Sequence, residues 1–212
     1  MKKNLAVTTL IIPFMLILLA GCLGKTPKNS MVAESYADVH TVIVLPVESL
    51  KNIDEPTSQK KAQQLAHGAE TINRLFFDYF SNMDNIKVIS PEQQKVLTGN
   101  YKAGRAEHAR EIARNLNCDA VLITTVKRYI DRQGNQYSVS QPASAAFDFK
   151  LLAAKSGRTI CSGSFDETQK SLSENLFSLS GAAKRKFKWI TAPDLVTEGI
   201  QKHFTTCPPL HQ

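Results

Sequence analysis

Between Val139 and Ala153 the chain alternates. Val139, Ala143, Ala145, Phe147, Phe149, Leu151 and Ala153 share one parity, while Ser138, Ser140, Ser144, Asp148 and Lys150 occupy the other. Successive side chains leave a strand on opposite sides, so this run predicts a long strand with one face in a core and the other in water. Such a strand needs neighbours. Ala120 to Ile123, continuing through Val126 to Ile130, reads as the strand before it, with Gln133-Gly134-Asn135 as the turn, and Ser156-Gly157 leads into a third strand from Thr159 to Phe165. Together these form an antiparallel meander.

Upstream, Thr41 to Val47 is a continuous apolar run, the mark of a strand covered on both faces. Ala62, Leu65, Ala66, Ala69, Ile72, Phe76, Tyr79 and Phe80 then recur at helical spacing behind Ser58, a cap residue. Ile86, Val88 and Ile89 read as a short strand, and Pro91 opens a short helix. Ala106, Ala109, Ile112, Ala113 and Leu116 stripe another helix that ends at Asn117, a residue tolerant of the left-handed conformation. Downstream of the meander, Ser171-Leu172-Ser173-Glu174 is a capping box, and Thr191-Ala192-Pro193-Asp194 opens a helix carrying Leu195, Val196, Ile200 and Phe204. This order predicts an α/β fold over residues 40–206: a single mixed sheet with parallel β-α-β connections, a C-terminal antiparallel meander and covering helices.

The amino terminus has a different character. Lys2 and Lys3 precede a run from Leu5 to Gly24 without one charge, the layout of an export signal. Thr8, Thr9 and Pro13 make that run a poor transmembrane helix. It ends in Leu19-Ala20-Gly21-Cys22, which resembles the lipobox of bacterial lipoproteins at every position. That resemblance implies recognition of Leu19, Ala20 and Gly21 by a dedicated peptidase, cleavage before Cys22, and a diacylglyceryl thioether on the Cys22 sulfur. Two or three acyl chains anchor a protein firmly, because each buried methylene adds about 0.8 kcal/mol. Residues 1–21 are then the signal peptide and 22–39 a lipidated tether, with Pro27, Asn29 and Ser30 in its polar stretch. The sixteen residues from Gly24 to Val39 span about 20–24 Å as a random coil. Leu23 stands where enterobacterial lipoproteins retained in the inner membrane typically carry aspartate, so the resemblance implies the outer membrane, with the domain facing the periplasm.

Export changes the meaning of the charge. The formal net charge of +7 would place nucleic acid among the partners of a cytosolic protein, but the periplasm holds none. The excess is read instead against lipid headgroups or peptidoglycan. Its densest cluster, Lys184, Arg185, Lys186 and Lys188 beside Trp189, is the candidate contact for an anionic surface. Apart from Cys22, the cysteines are Cys118, Cys161 and Cys207, an odd number for an oxidising compartment. Cys118 and Cys161 lie among apolar or small residues and read as small buried hydrophobes. A strand between them would hold them about 9–10 Å apart, too far for a disulfide. The histidines are scattered without ligand spacing, and no nucleophile-elbow, zinc-protease or dinucleotide-binding motif occurs, so neither a metal, a cofactor nor a catalytic set is expected. Asp166-Glu167, an adjacent acidic pair just past a predicted strand, reads as a solvated strand end.

Two stretches carry a further resemblance. Ile43-Val44-Leu45-Pro46-Val47-Glu48, and the passage from Ala113 through Asn117-Cys118-Asp119 to Leu122, are similar to passages in curli-secretion lipoproteins, in lipoprotein activators of penicillin-binding proteins and in the amino-terminal domain of the Tol-system propeller protein. The hairpin from Leu151 through Lys155-Ser156-Gly157-Arg158 to Gly163 fits the same pattern. These motifs specify turns and buried strands and transfer no functional residue. The resemblance implies a membrane-anchored lipoprotein that contacts another envelope protein as an assembly or regulatory factor. Its alternative is a subunit of an oligomeric outer-membrane export complex, which would need long amphipathic hairpins.

Overall fold

The computed structural model describes residues 38–49, 58–98, 105–170, 185 and 188–211, all within the unit Glu34–Gln212. Cys22, the lipobox, Lys184, Lys186 and the Ser171 capping box lie outside the described residues.

The fold is mixed α/β. β1 (Val42–Val44) is flanked by β3 (Ile86–Val88) and β4 (Ala120–Ile130), both parallel to it. β2 (Glu48–Ser49) extends the β1 side of β4, and β7 (Ser144–Ala153) and β8 (Thr159–Thr168) complete an antiparallel meander. The main order is β3-β1-β4-β7-β8. β5 (Gln133–Gly134) and β6 (Val139–Gln141) make a small separate ladder. On one face lie α1 (Gln59–Phe80) and α4 (Ala192–Phe204), whose Leu65, Ile72, Phe76, Leu195, Ile200 and Phe204 share a core with Val42, Leu122, Phe147 and Leu151. Against the other face, α3 (Arg105–Asn115) packs Ala109, Ile112 and Ala113 onto Ile43, Val121 and Leu152. β1 is therefore buried on both sides, as its unbroken apolar sequence requires.

Local signals act where the sequence places them. The Ser58 hydroxyl accepts the Lys61 N–H at the start of α1. Thr191 and Asp194 cap α4 reciprocally, with Pro193 in the first turn. Asn117 takes φ 52°, and the Cys118 and Asn117 N–H groups donate back to the Ala113 and Arg114 carbonyls, closing α3 in a Schellman motif. That closure delivers Asp119 to the entrance of β1. One carboxylate oxygen accepts the N–H of His40 (3.0 Å), the N–H of Thr41 (2.9 Å) and the Thr41 hydroxyl (3.0 Å).

Burial pushes the Asp119 carboxyl up, but these donors outweigh it and hold the group below its ordinary range. A carboxylate depressed by folding contributes stability above its unfolded pKa of about 3.9 and loses it as the pH falls through the folded value. Asp119→Asn should therefore cost about 1.5–3 kcal/mol at neutral pH, the worth of one charge-assisted hydrogen bond. The gap between the two proteins should begin to narrow below about pH 3.9 and close only once the pH has fallen through the depressed folded value, as followed by urea unfolding across pH. A pH-independent gap would remove the charge from the account. Asp148, which burial pushes up and Lys127 and Ser164 pull further down, supplies the same acid sensitivity to both proteins.

Three expectations need correction. Ala62 and Ala66 are exposed, and α1 faces the core through Leu65, Gly68, Ile72 and Phe76 instead. Gly68 decides this: a β-carbon there would meet the Tyr129 side chain at 2.5 Å, so glycine lets α1 settle onto β4. Cys161 is not a lone hydrophobe. Its strand carries it to Cys207, just past α4, and the two form a disulfide with Cα atoms 5.9 Å apart. Cys118, with β7 between it and Cys161, is buried and free. Finally, packing continues past residue 206, since Cys207 and Leu210 are fully within the core.

Candidate interaction surface

The basic cluster is partly spoken for. The Arg185 guanidinium grips the Glu198 carboxylate through Nε (3.0 and 3.1 Å) and reaches Glu167 through Nη2 (2.8 Å), with 11% of its side chain exposed. Burial lowers its pKa, yet the two carboxylates prevail and raise it. Arg185 thus holds α4 to β8 and is not a free surface cation, which corrects the expectation for that residue. The stretch after it is strapped down by main-chain bonds. Trp189 donates to the Gln136 carbonyl (2.9 Å) and accepts from Arg132 Nη1 (2.6 Å), and Gln169 bridges the Lys188 carbonyl and the Ile190 N–H. Lys188 places its ammonium 6.0 Å from the Tyr137 ring centre, and Trp189 is half-buried. Asp166 and Glu167 leave β8 in separate ion pairs, with Arg128 and Arg185. Among the described residues no group of three or more His, Cys, Asp or Glu side chains is placed to hold a metal ion.

A different surface stands out, at the β3 margin of the sheet. Ser90 and Gln93 cap α2 (Pro91–Thr98) reciprocally: the Ser90 hydroxyl accepts the Gln93 N–H and Gln93 Oε1 accepts the Ser90 N–H. The helix starts just after β3, with Ile89 and Ser90 between them. Its Val96 and Leu97 stay out of the core, Val96 being 85% exposed and Leu97 38%. Between α2 and the sheet lies an open cavity of about 510 Å³, walled by Ile43, Ile89, Val96, Leu97 and Leu116, with Lys87 and Glu92 at its rim. A second, of about 590 Å³, opens on the α1 side between Val88, Pro91 and Phe77, whose ring is 64% exposed. Single exposed apolar side chains are ordinary, but clustered ones beside apolar hollows mark a contact surface.

Sequence reasoning missed these residues, although signals were present. Phe77 follows Phe76 and falls off the α1 stripe, and Val96-Leu97 is the apolar pair of an otherwise polar helix that has no stripe to join.

No protein-family model and no curated protein matches the chain. Solved structures show a distant similarity. A PelC dodecamer from Paraburkholderia phytofirmans is 14% identical over 82% of this chain and 90% of that one, with a TM-score of 0.44. The LpoB C-terminal domain from Escherichia coli is 18% identical over 62% and 84%, with a TM-score of 0.37. Lipoprotein GNA1162 from Neisseria meningitidis is 17% identical over 70% and 96%, with a TM-score of 0.34. Similarity at this level assigns no role to the chain.

Proposed function

We propose that this chain is a bacterial envelope lipoprotein, acylated on Cys22 and held at the outer membrane, whose periplasmic domain works by protein-protein contact as an assembly or regulatory factor. The observation that carries the contact reading is the apolar surface of Val96, Leu97 and Phe77 around two hollows. The lipid anchor rests on Leu19-Ala20-Gly21-Cys22 and the uncharged run before it. Lys184, Lys186 and Lys188 are offered as a salt-sensitive contact with anionic lipid or peptidoglycan. Against a pore-forming role, the apolar parity of β7 is taken up by the core, where Phe147, Phe149 and Leu151 meet α1 and α4. Among the described residues no helix is long and apolar enough to cross a membrane.

Growth with a labelled fatty acid tests the anchor. The wild-type chain should carry label, and Cys22→Ser should lose it and accumulate as unprocessed precursor. Normal processing and labelling of the serine variant would end the lipoprotein reading. The contact is tested separately, by crosslinking in intact cells followed by mass spectrometry. Crosslinks from the β3 and α2 region to one envelope protein are expected, and their absence would sink it.

A further inference from the structure

β3 forms one margin of the sheet, with β1 its described neighbour. The parallel register pairs Val42 with Ile86, Ile43 with Lys87 and Val44 with Val88. Val42 donates to the Asn85 carbonyl and Ile89 to the Val44 carbonyl, both at 2.9 Å, so residues 85, 87 and 89 turn their main-chain groups toward β1. Ile86 and Val88 turn theirs outward. The Ile86 N–H is taken by the Met83 carbonyl (3.0 Å). Among the described residues, the Ile86 carbonyl and both main-chain groups of Val88 have no backbone partner.

The side chains divide as cleanly. Ile86 and Val88 belong to the α1 side of the sheet, and Ile89 to the α3 side. The two hollows lie on these two sides of the same margin and share Val88 and Ile89 in their walls. At the rim, Glu92 faces the Ser90 hydroxyl and Lys95, whereas Lys87 meets no described carboxylate.

We propose that the β3 margin takes up an extended segment of a partner protein as an added strand, with an apolar, an acidic, an apolar and an aliphatic residue opposite Ile86, Lys87, Val88 and Ile89. Alternating outward C=O and N–H groups are matched by an extended main chain, which a helix, with its groups already paired, cannot supply. The apolar residues of one parity cover Ile86 and Val88 toward Phe77. On the other parity, a carboxylate answers the uncompensated Lys87 and the aliphatic side chain enters the hollow beneath Leu97. The opposite margin, β8, keeps Asp166 and Glu167 in internal ion pairs, and the hollow beside it, between Phe165, Glu167, Glu198 and Lys202, is lined by charged as well as apolar side chains.

This inference rests on the contact reading above and is independent of the lipid anchor. The test uses the lipidated chain in detergent and a fluorescent peptide with the core leucine-glutamate-valine-leucine, followed by anisotropy. Saturable binding is expected. Methylating the amides of one parity in the peptide should abolish binding, while methylating the other parity leaves it within about twofold. Lys87→Glu, at an exposed position, should weaken the glutamate peptide about tenfold and restore affinity for a lysine counterpart. No saturable binding at any soluble concentration, equal loss from both methylation patterns, or an unchanged charge preference would each overturn the proposal. A self-dimer displaced by the peptide would assign the margin to a second copy and overturn the heterologous partner. If crosslinks from this region persist in cells while the peptide fails, the contact reading stands and strand addition falls.

Discussion

Replacing Cys161 and Cys207 together by alanine is expected to lower the unfolding free energy by about 4 kcal/mol, the chain entropy released when a 46-residue separation loses its crosslink. A domain of this kind is stable by about 5–15 kcal/mol, so the variant should lose between about a quarter and four fifths of that margin. The effect is large because the bridge joins two ends of the fold, tying β8, a sheet margin, to the chain leaving α4. The other cysteine among the described residues offers no replacement. Cys118 is buried, and burial pushes its pKa up, away from the reactive thiolate. Urea unfolding of wild type with and without reductant should reproduce the difference, and the alanine pair should not respond to reductant. Coincident transitions for wild type and variant would show that the bridge does not form.

Phe204→Ala should cost about 4–5 kcal/mol. The ring is fully buried at the centre of an aromatic cluster, with centroids 5.5 Å from Phe76, 5.7 Å from Tyr79 and Phe80, and 5.0 Å from Phe149. Large-to-alanine changes at such sites lose both the transfer energy and the packing around the cavity, about 3–5 kcal/mol, and aromatic pairs add about 0.5–1.5 kcal/mol beyond burial. Because α1, β7 and α4 meet there, no one element can collapse into the gap. The urea midpoint should fall with an unchanged slope, and Phe204→Leu should recover more than half of the loss. A loss below about 1 kcal/mol would mean that α4 does not close this core.

What could be read in advance was whatever the chain writes locally. The parity of Phe147, Phe149 and Leu151 located the meander, Asn117 marked the end of α3, and Thr191 with Asp194 marked the start of α4. Each is a signal spanning a few residues. What escaped depends on elements brought together from far along the chain. Gly68 looks like a flaw in a helix until Tyr129 arrives against it. Arg185 looks like one of four interchangeable cations until Glu198 and Glu167 claim it. The Cys161 bridge needs α4 to run back along β8 before Cys207 comes within reach. Val96 and Leu97 were legible as apolar residues but not as exposed ones, because exposure depends on what the rest of the fold packs against α2.

The Asp119 latch bears on mechanics. β1 is bonded along both edges, and its amino-terminal end is where the chain enters the sheet. Load arriving through the preceding residues would first meet His40 and Thr41, pinned by Asp119, with the Thr41 carbonyl also accepting the Asp119 and Ala120 N–H groups. Beyond that point the pull runs along the strand axis, so the bonds to β3 and β4 must shear together rather than peel open one after another. A domain strung between a membrane and a partner on its β3 margin would thereby resist being drawn out from the one end at which it is held.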